Sequence, residues 1–411
     1  MIRTGNAVSN ALISLPKTII RVFMVDGKNI DFWEMPLTTR FELEANFREK
    51  LFSKAANEGY FKLASCLDVS YAFISPLKRG VYSIPLKTLL RLGELTGINN
   101  EEIQKNITFT RTRHGKGTKS PYPIFASPIV ASLVGHVFGD GYISEKKRQF
   151  EYVNFDSNLR SIAEKEVYDA FRIQPISRKE KSIVFPSITG DILLAFGCLV
   201  SPKLYSTARV PEWIMNGTPE MKKAFLRAIF DDDGSVMFSE DYRAKGVNLA
   251  WTRHENHSEP LKLLLLDVKK LLSEFDIHSG EPIVTKIEQY EDGNHVTMYI
   301  NITDHQSIKN YYEKIGFNSK SKHGKLEKIL LRKFIYTKAR ETQMLMQVMQ
   351  KIILLQPVST GKLAQDLKLA PSFVLKKLKK LEKTGAIEQN GRVALNRSII
   401  WEVTGVKTLN G

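Results

Sequence analysis

The pattern of apolar and polar residues divides the chain into three regions that differ in predicted structure. Residues 1–110 have a mainly helical pattern. Residues 124–340 mix helical periods with short alternating strands such as SIVFPSI and HVTMYINIT, which predicts an α+β fold. Residues 344–404 read as three helices followed by a short polar hairpin. The segment 111–123 combines basic residues, glycine and proline, so we expect a linker there.

An internal repeat organises the middle region. ASPIVASLVGHVFGDGYIS and GTPEMKKAFLRAIFDDDGSV each begin with an N-cap residue and a proline, continue as an apolar helix and stop at Asp-Gly. The stops at Asp140 and Asp233 are 93 positions apart, and each copy has a lysine six residues after a glycine, Lys203 and Lys322. The second copy is longer around DYRAKGV and QYEDGNH, which predicts an extra or extended hairpin. The predicted repeats are 124–215 and 216–340.

Carboxylates directly behind a helix are unfavourable, because the last turn has unpaired carbonyls and the negative end of the helix dipole. Each such acid costs about 0.3–1 kcal/mol. Gly135, Gly139 and Ala228 are small enough for the two apolar helices to approach closely, which brings Asp140 and Asp233 together. Two carboxylates beside exposed carbonyls form an oxygen-rich site that suits Mg²⁺, with Mn²⁺ as the alternative. A cation there offsets the cost and supports phosphodiester hydrolysis.

Composition narrows the partner and the compartment. The 411 residues include 60 Lys and Arg against 44 Asp and Glu, a formal charge of +16, so we expect a polyanionic partner, double-stranded DNA first. The two cysteines, Cys66 and Cys198, exclude a disulfide framework and a thiolate zinc site. The longest apolar stretch, 124–139, is too short to span a bilayer comfortably. We expect a cytoplasmic, nucleoid-associated monomer without a membrane or small-molecule partner.

LVGHVFGDG (133–141) and LRAIFDDDG (226–234) resemble the two copies of the LAGLIDADG motif. The middle region as a whole is similar to the monomeric, two-motif LAGLIDADG homing endonucleases. This resemblance implies two αββαββα repeats whose sheets form a saddle along the DNA major groove. The site residues that it implies are the metal-binding catalytic acids Asp140 and Asp233, the carbonyl ligands at Gly139 and Asp232, and the catalytic lysines Lys203 and Lys322, with Arg209 and Lys320 as alternatives.

Asp232 departs from the family pattern, which favours a small residue at this position. Its side chain either widens the helix contact or points outward beside the metal, and both alternatives stay open. His136, inside the first apolar helix, is interpreted as a packed or hydrogen-bonded core residue rather than as a ligand.

Residues 59–98 resemble the helix-turn-helix of the phage repressor family, within the N-terminal region 1–110. The recognition helix is expected at Ser70 to Lys78, with Pro76 shortening or kinking it. The residues expected to contact DNA there are Ser70, Tyr71, Ser75, Lys78 and Arg79.

The C-terminal region 344–404 reads as a winged helix. Ser359 is predicted to cap the second helix, the third runs from Ala370 to Thr384, and strands around Asn390-Gly391 form the wing. The lysines expected to contact DNA are Lys376, Lys377 and Lys380. Between 320 and 340, eight basic residues accompany one acid, so the linking helix is also a candidate for backbone contact.

These features predict a site-specific, Mg²⁺-dependent double-strand DNA endonuclease, either free-standing or intron-encoded. Two alternatives remain, a DNA-binding transcriptional regulator that retains the LAGLIDADG fold and an RNA-splicing maturase. Because the chain begins with Met1 and ends Leu-Asn-Gly, without splicing residues, an intein origin is disfavoured.

Overall fold

A computed structural model describes residues 28–113, 115–119, 122–237, 246–392 and 398–404, apart from the side chains of 332–340 and 392. The chain forms two compact units, one ending at Glu327 and one beginning at Lys328. The predicted N-terminal and middle regions therefore belong to one unit. No helix among the described residues is long and apolar enough to cross a membrane.

The N-terminal part of the first unit combines short helices with a four-stranded antiparallel sheet. The predicted recognition helix is present, and Pro76 lies inside it without shortening it. The helices are Ala45–Ala55, Tyr60–Cys66, Tyr71–Arg79, Leu86–Thr96 and Asn100–Lys105. In sheet order, the strands are Ile84–Pro85, Arg40–Leu43, Ile107–Arg111 and Thr118–Lys119. A separate pair joins Asn29–Ile30 to Ile124–Phe125.

The segment 111–123 is not simply a linker. Thr118–Lys119 adds an edge strand beside Ile107–Arg111. The buried Thr118 hydroxyl donates to the carbonyls of Phe171 and Arg172, at 3.2 and 3.1 Å. The strand in this segment therefore fixes the N-terminal sheet to the end of the helix Ser157–Phe171.

The middle part consists of two halves with the same element order: helix, two strands, helix, two strands, helix. Both sheets are four-stranded and antiparallel, and their strands follow the spatial order first, second, fourth, third. The first half comprises Pro128–Phe138, Gly141–Ile143, Phe150–Val153, Ser157–Phe171, Ser177–Arg178, Ser182–Val184 and Ser187–Ala195. The second comprises Pro219–Asp232, Gly234–Met237, Gly246–His254, Ser258–Ser273, Ile283–Tyr290, Gly293–Ile302 and His305–Asn310. The short helix Glu212–Met215 lies between the halves.

Local sequence explains how both motif helices begin. The hydroxyls of Ser127 and Thr218 accept hydrogen bonds from the backbone N–H three residues later, and a proline follows at the first helical position. We call Pro128–Phe138 the first motif helix and Pro219–Asp232 the second motif helix.

The longer second copy has its extension where the sequence indicated. Strands Ile283–Tyr290 and Gly293–Ile302 form a long hairpin whose turn lies in QYEDGNH. Most of DYRAKGV lies outside the described residues. This extension gives the second sheet much longer strands than the first.

The C-terminal unit packs helices against a three-stranded sheet. Ser359 caps the second helix as predicted, and its hydroxyl accepts from the Lys362 N–H. Trp401 is fully buried at the centre, and its indole N–H donates to the Thr360 hydroxyl at 2.9 Å. The helices are Lys320–Leu355, which begins in the first unit, Thr360–Asp366 and Pro371–Lys383, and the strands in sheet order are Val358–Ser359, Ile399–Val403 and Ile387–Arg392.

Strands are present around Asn390-Gly391, as expected. Both residues lie within the strand Ile387–Arg392, where the pairing register shifts between Gln389 and Arg392. Gly391 has a φ of 95°, so its left-handed backbone serves a bulge in this strand instead of a turn. The connection to the next strand comes later in the chain.

Candidate functional site

The two motif helices meet through small residues. A Cβ atom on Gly135 would lie 2.7 Å from the Ala228 Cβ, and one on Gly139 would lie 2.5 Å from the Asp232 Cβ. Neither distance leaves room for a methyl group, so glycine is required at both positions for this approach. The close contact brings together the ends of the two helices.

Asp140 and Asp233 converge at these helix ends, and each carboxylate is held by a side chain from the second strand of its own sheet. The Asn154 amide donates to Asp140 Oδ2 at 2.7 Å, and the Trp251 indole N–H donates to Asp233 Oδ2 at 2.6 Å. Burial and the neighbouring carboxylates of Asp232 and Asp233 raise the pKa of Asp140 to about 7. Burial also raises the pKa of Asp233, although nearby Lys203 opposes the rise. The site therefore concentrates negative charge in a partly dry environment.

Lys203 and Lys322 occupy equivalent places in the two halves. The Lys203 ammonium donates to the carbonyls of Val137, Phe138 and Gly139, the last of these contacts being very short. Lys322 likewise donates to the last carbonyls of the second motif helix, including that of Asp232 at 3.1 Å. Burial lowers the pKa of both ammonium groups, and the surrounding carboxylates oppose this.

These contacts place both lysines at the acid site. They also mean that the carbonyls of Gly139 and Asp232, which were expected to bind a metal, accept hydrogen bonds from ammonium groups in this structure. Each lysine neutralises the negative end of one motif helix.

The Asp232 side chain turns inward across the helix contact. It is fully buried, and Oδ1 accepts from the Tyr152 hydroxyl at 2.6 Å. Oδ2 accepts from the backbone N–H of Asp140 at 3.2 Å and lies 2.9 Å from His136 Nδ1. Neither alternative considered for this residue is correct, because the side chain neither widens the contact nor points outward. It fills the space left by the missing side chain of Gly139.

His136 is the buried cation that balances Asp232. Burial alone lowers its pKa, but the charge of Asp232 and the hydrogen bond to it outweigh that effect and bring the pKa to about 9. Nε2 of the ring lies 3.7 Å from Glu166 Oε2. The structure thus agrees with the interpretation of His136 as a hydrogen-bonded core residue.

Asp231 has a third role. Its carboxylate accepts from the backbone N–H groups of Asn318 and Ser319, at distances between 2.9 and 3.1 Å. These residues directly precede the helix Lys320–Leu355, so Asp231 anchors the start of that helix to the second motif helix. The three consecutive acids therefore point in three directions.

Several site residues were not identified from the sequence. Tyr152, Asn154 and Trp251 all lie at or just after the second strand of a sheet, and the nearly buried Arg253 lies on the same strand as Trp251. Burial lowers the pKa of Arg253 to about 10, and the charge of Asp233 opposes this. A search for polar side chains at equivalent strand positions of both repeats would have found Asn154 and Trp251.

The alternative catalytic residues lie elsewhere. Arg209 forms a two-pronged ion pair with Asp267, at 2.5 and 2.6 Å, and Lys320 is an exposed first residue of its helix. In the part of the chain that the structure describes, no group of three or more His, Cys, Asp or Glu side chains is arranged to hold a metal ion.

The residues expected to contact DNA in the N-terminal region differ in their freedom. Ser70, Tyr71, Ser75 and Arg79 are exposed. Lys78 is half-buried, and its ammonium pairs with Glu49 at 2.8 Å and donates to the Tyr60 hydroxyl at 2.7 Å. Lys78 therefore has a structural role within the helical cluster.

The lysines on Pro371–Lys383 also differ. Lys376 is exposed. Lys377 and Lys380 both pair with Glu341, at 3.2 and 2.8 Å. Of the three lysines expected to contact DNA, Lys376 is therefore the one most available for such a contact.

Comparison with known proteins connects this geometry to a family. Residues 220–316 match the model of the LAGLIDADG-like domain. The chain therefore contains a LAGLIDADG-like domain that begins in the second motif helix and covers most of the second half. A crystal structure of the N-terminal LAGLIDADG domain of DUF199/WhiA aligns with 48% of this chain and 87% of its own, at 16% identity and a TM-score of 0.27.

Curated relatives match over limited segments. The replication factor C small subunit of Methanocaldococcus jannaschii is 26% identical over 206 residues, 46% of this chain and 11% of that protein. The glutamine–fructose-6-phosphate aminotransferase of the same organism is 23% identical over 74% of this chain and 26% of its own length. Its tRNA-splicing ligase RtcB is 27% identical over 46% of this chain and 22% of that protein. The chain thus spans about a quarter or less of these relatives.

Proposed function

We propose that the protein is a site-specific double-strand DNA endonuclease that hydrolyses phosphodiester bonds with a divalent metal ion. The observation that supports this best is the convergence of Asp140 and Asp233 at the ends of two contacting helices, each with its own half-buried lysine. A protein that only binds DNA gains nothing from carboxylates aimed at phosphate, whereas a metal-dependent nuclease needs them.

The donor set fits a small hard cation. Mg²⁺ is commonly held by one or two carboxylates and completes its shell with water and substrate phosphate. Burial first, and then the carboxylates of Asp232 and Asp233, raise the pKa of Asp140, and a bound cation would stabilise its ionised form. Asp140 and Asp233 would hold Mg²⁺ or Mn²⁺, which supplies charge stabilisation and a more acidic water. If the Lys203 and Lys322 ammonium groups moved away from the helix-end carbonyls, the lysines could face the scissile phosphates.

The wider surface fits a nucleic acid. With a net charge of +16, the chain attracts a polyanion at long range. We propose that the two similar antiparallel sheets form a saddle on the duplex, and that the C-terminal unit is a winged helix with the exposed Lys376 facing the backbone. The exposed side of Tyr71–Arg79 would supply a further contact.

The pattern of relatives also favours an endonuclease. Their names describe a replication factor, an aminotransferase and an RNA ligase, which share no activity, and the similar segments cover 11% to 26% of those proteins. A segment that recurs within unrelated proteins behaves as a portable unit. A mobile DNA-cutting element is portable in this way, whereas a dedicated transcriptional regulator is not.

A DNA-binding regulator is the second candidate, and one observation favours it. Lysine ammonium groups already donate to the helix-end carbonyls, and the Trp251 indole N–H already donates to the Asp233 carboxylate. A site closed in this manner binds no cation unless it rearranges on DNA.

Cleavage of DNA that spans the genomic insertion junction of the gene tests the proposal. The wild type should cut both strands with Mg²⁺ or Mn²⁺, while Asp140→Asn and Asp233→Asn should bind the same DNA without cutting it. Specific binding by the wild type without cleavage in either metal would establish the regulator instead.

A further inference from the structure

The two motif carboxylates hold equivalent chain positions but are oriented by different devices. Pairing in the sheets defines the correspondence: Gly141 faces Tyr152 in the first sheet, and Gly234 faces Leu249 in the second. Leu249 thus stands where Tyr152 stands in the other half. Two residues further along, Trp251 corresponds to Asn154.

In the first half, a ring of hydrogen bonds surrounds Asp140. The Asn154 amide donates to Asp140 Oδ2 at 2.7 Å and to the Tyr152 hydroxyl at 3.2 Å. The Tyr152 hydroxyl donates to Asp232 Oδ1 at 2.6 Å, and Asp232 Oδ2 accepts the Asp140 N–H at 3.2 Å. Asp232 comes from the second motif helix, so the opposite half holds the Asp140 backbone N–H directly and reaches its carboxylate indirectly, through Tyr152 and Asn154.

Among the described residues of the second half, no matching ring of hydrogen bonds is present. Leu249 has no hydroxyl, and the position equivalent to Asp232 is Gly139, which has no side chain. The Asp233 carboxylate instead receives the Trp251 indole N–H directly, at 2.6 Å. The orientation of Asp140 therefore depends on the other half of the molecule, while that of Asp233 depends on its own sheet.

We propose that Tyr152 and the Asp232 side chain are positioning residues that orient Asp140 for the cleavage of one DNA strand. Asp233 is oriented for the other strand by Trp251. The inference rests on the proposed endonuclease activity. Two halves with the same element order and strand order suit the two similar strands of a duplex, so each carboxylate serves mainly one strand.

Strand-resolved cleavage kinetics test this assignment. With a different label on each strand, Tyr152→Phe should slow one strand by about 10- to 100-fold, the usual effect of removing a hydrogen bond that orients a ligand. The other strand should be cut at the wild-type rate, so a nicked duplex accumulates. The DNA dissociation constant should stay unchanged. Trp251→Phe should slow the opposite strand.

Tyr311→Phe is the matched control, because Tyr311 is also buried in this unit and its hydroxyl has no hydrogen-bond partner among the described residues. It should cut both strands at the wild-type rate. Equal slowing of both strands by Tyr152→Phe, or wild-type rates on both, would overturn the inference while leaving the endonuclease intact. A wild type that cuts neither strand would overturn the proposed function and this inference together.

Discussion

The two halves of the acid site share a backbone plan and differ in their side chains. Both motif helices end at an Asp-Gly pair, and the last carbonyls of both accept hydrogen bonds from a half-buried lysine. Yet Gly139 in the first half corresponds to Asp232 in the second, and the Asp232 side chain occupies the space that a side chain on Gly139 would need. The two halves are therefore alike in the lysine contacts at their helix ends. They differ where the Asp232 side chain crosses the contact between the two motif helices.

Removing each lysine separately tests whether the two halves act on separate strands, and the largest effect is expected here. We expect Lys203→Met and Lys322→Met each to slow cleavage by about 100- to 10,000-fold, the range for losing a group that assists proton transfer or charge stabilisation. If the halves act separately, each variant slows mainly one strand. Labelled duplexes resolve the two rates, and the exposed Lys320→Met serves as the control. Equal slowing of both strands by both variants would indicate one shared centre.

Filling the space that the Asp232 side chain occupies beside Gly139 tests how tightly the two motif helices pack. Gly139→Ala should lower the free energy of unfolding by about 1–3 kcal/mol, the usual cost of overpacking, because the new methyl lies 2.5 Å from the Asp232 Cβ. Urea denaturation measures the change. Gly324→Ala is the matched control, since a methyl group added to that helical glycine has no neighbouring atom within 4 Å and should not destabilise the protein. Equal stability of both variants would show that the helix contact is loose.

The third and smallest effect concerns pH. Because the pKa of Asp140 is raised to about 7 in the folded protein, the folded state holds this proton more tightly than the unfolded chain. The resulting destabilisation is absent at low pH, grows as pH rises above the unfolded value of about 3.9 and is complete above about 7. In metal-free buffer, Asp140→Asn should raise the Tm by about 2–4 °C at pH 8.

At pH 3.5, the Asp140→Asn and wild-type Tm values should coincide. Differential scanning calorimetry at both pH values makes the measurement. Added Mg²⁺ should narrow the difference at pH 8 by stabilising the wild type alone. If the wild type were more stable than Asp140→Asn at pH 8 without metal, the pKa of Asp140 would not be raised in the folded protein.

Much of the site was predictable because repeated punctuation is local. The N-caps, the Asp-Gly stops and the lysine spacing predicted the two helices and the convergence of Asp140 and Asp233. The direction of the Asp232 side chain was not predictable, because its partners Tyr152 and Asp140 are 80 and 92 residues away. Only the folded interface shows that Gly139 leaves room for it.

Local composition did not determine the course of the backbone in two segments. Asn-Gly favours tight hairpin turns, but at Asn390-Gly391 the left-handed glycine serves a bulge within a strand. Gly and Pro around 111–123 indicated a linker, whereas Thr118 is buried and hydrogen-bonded to the end of the helix Ser157–Phe171. In both segments, tertiary contacts decided between conformations that the residues permit equally.

The anchoring of Asp231 to Asn318 and Ser319 determines how this protein can be shortened. The family match ends at residue 316. The backbone N–H groups that donate to the Asp231 carboxylate come later in the chain, and so does Lys322, whose ammonium donates to the carbonyls at the end of the second motif helix. A fragment trimmed to the matched boundary would leave a buried carboxylate and several helix-end carbonyls without partners. The smallest autonomous fragment should therefore extend at least to Glu327, where the first compact unit ends.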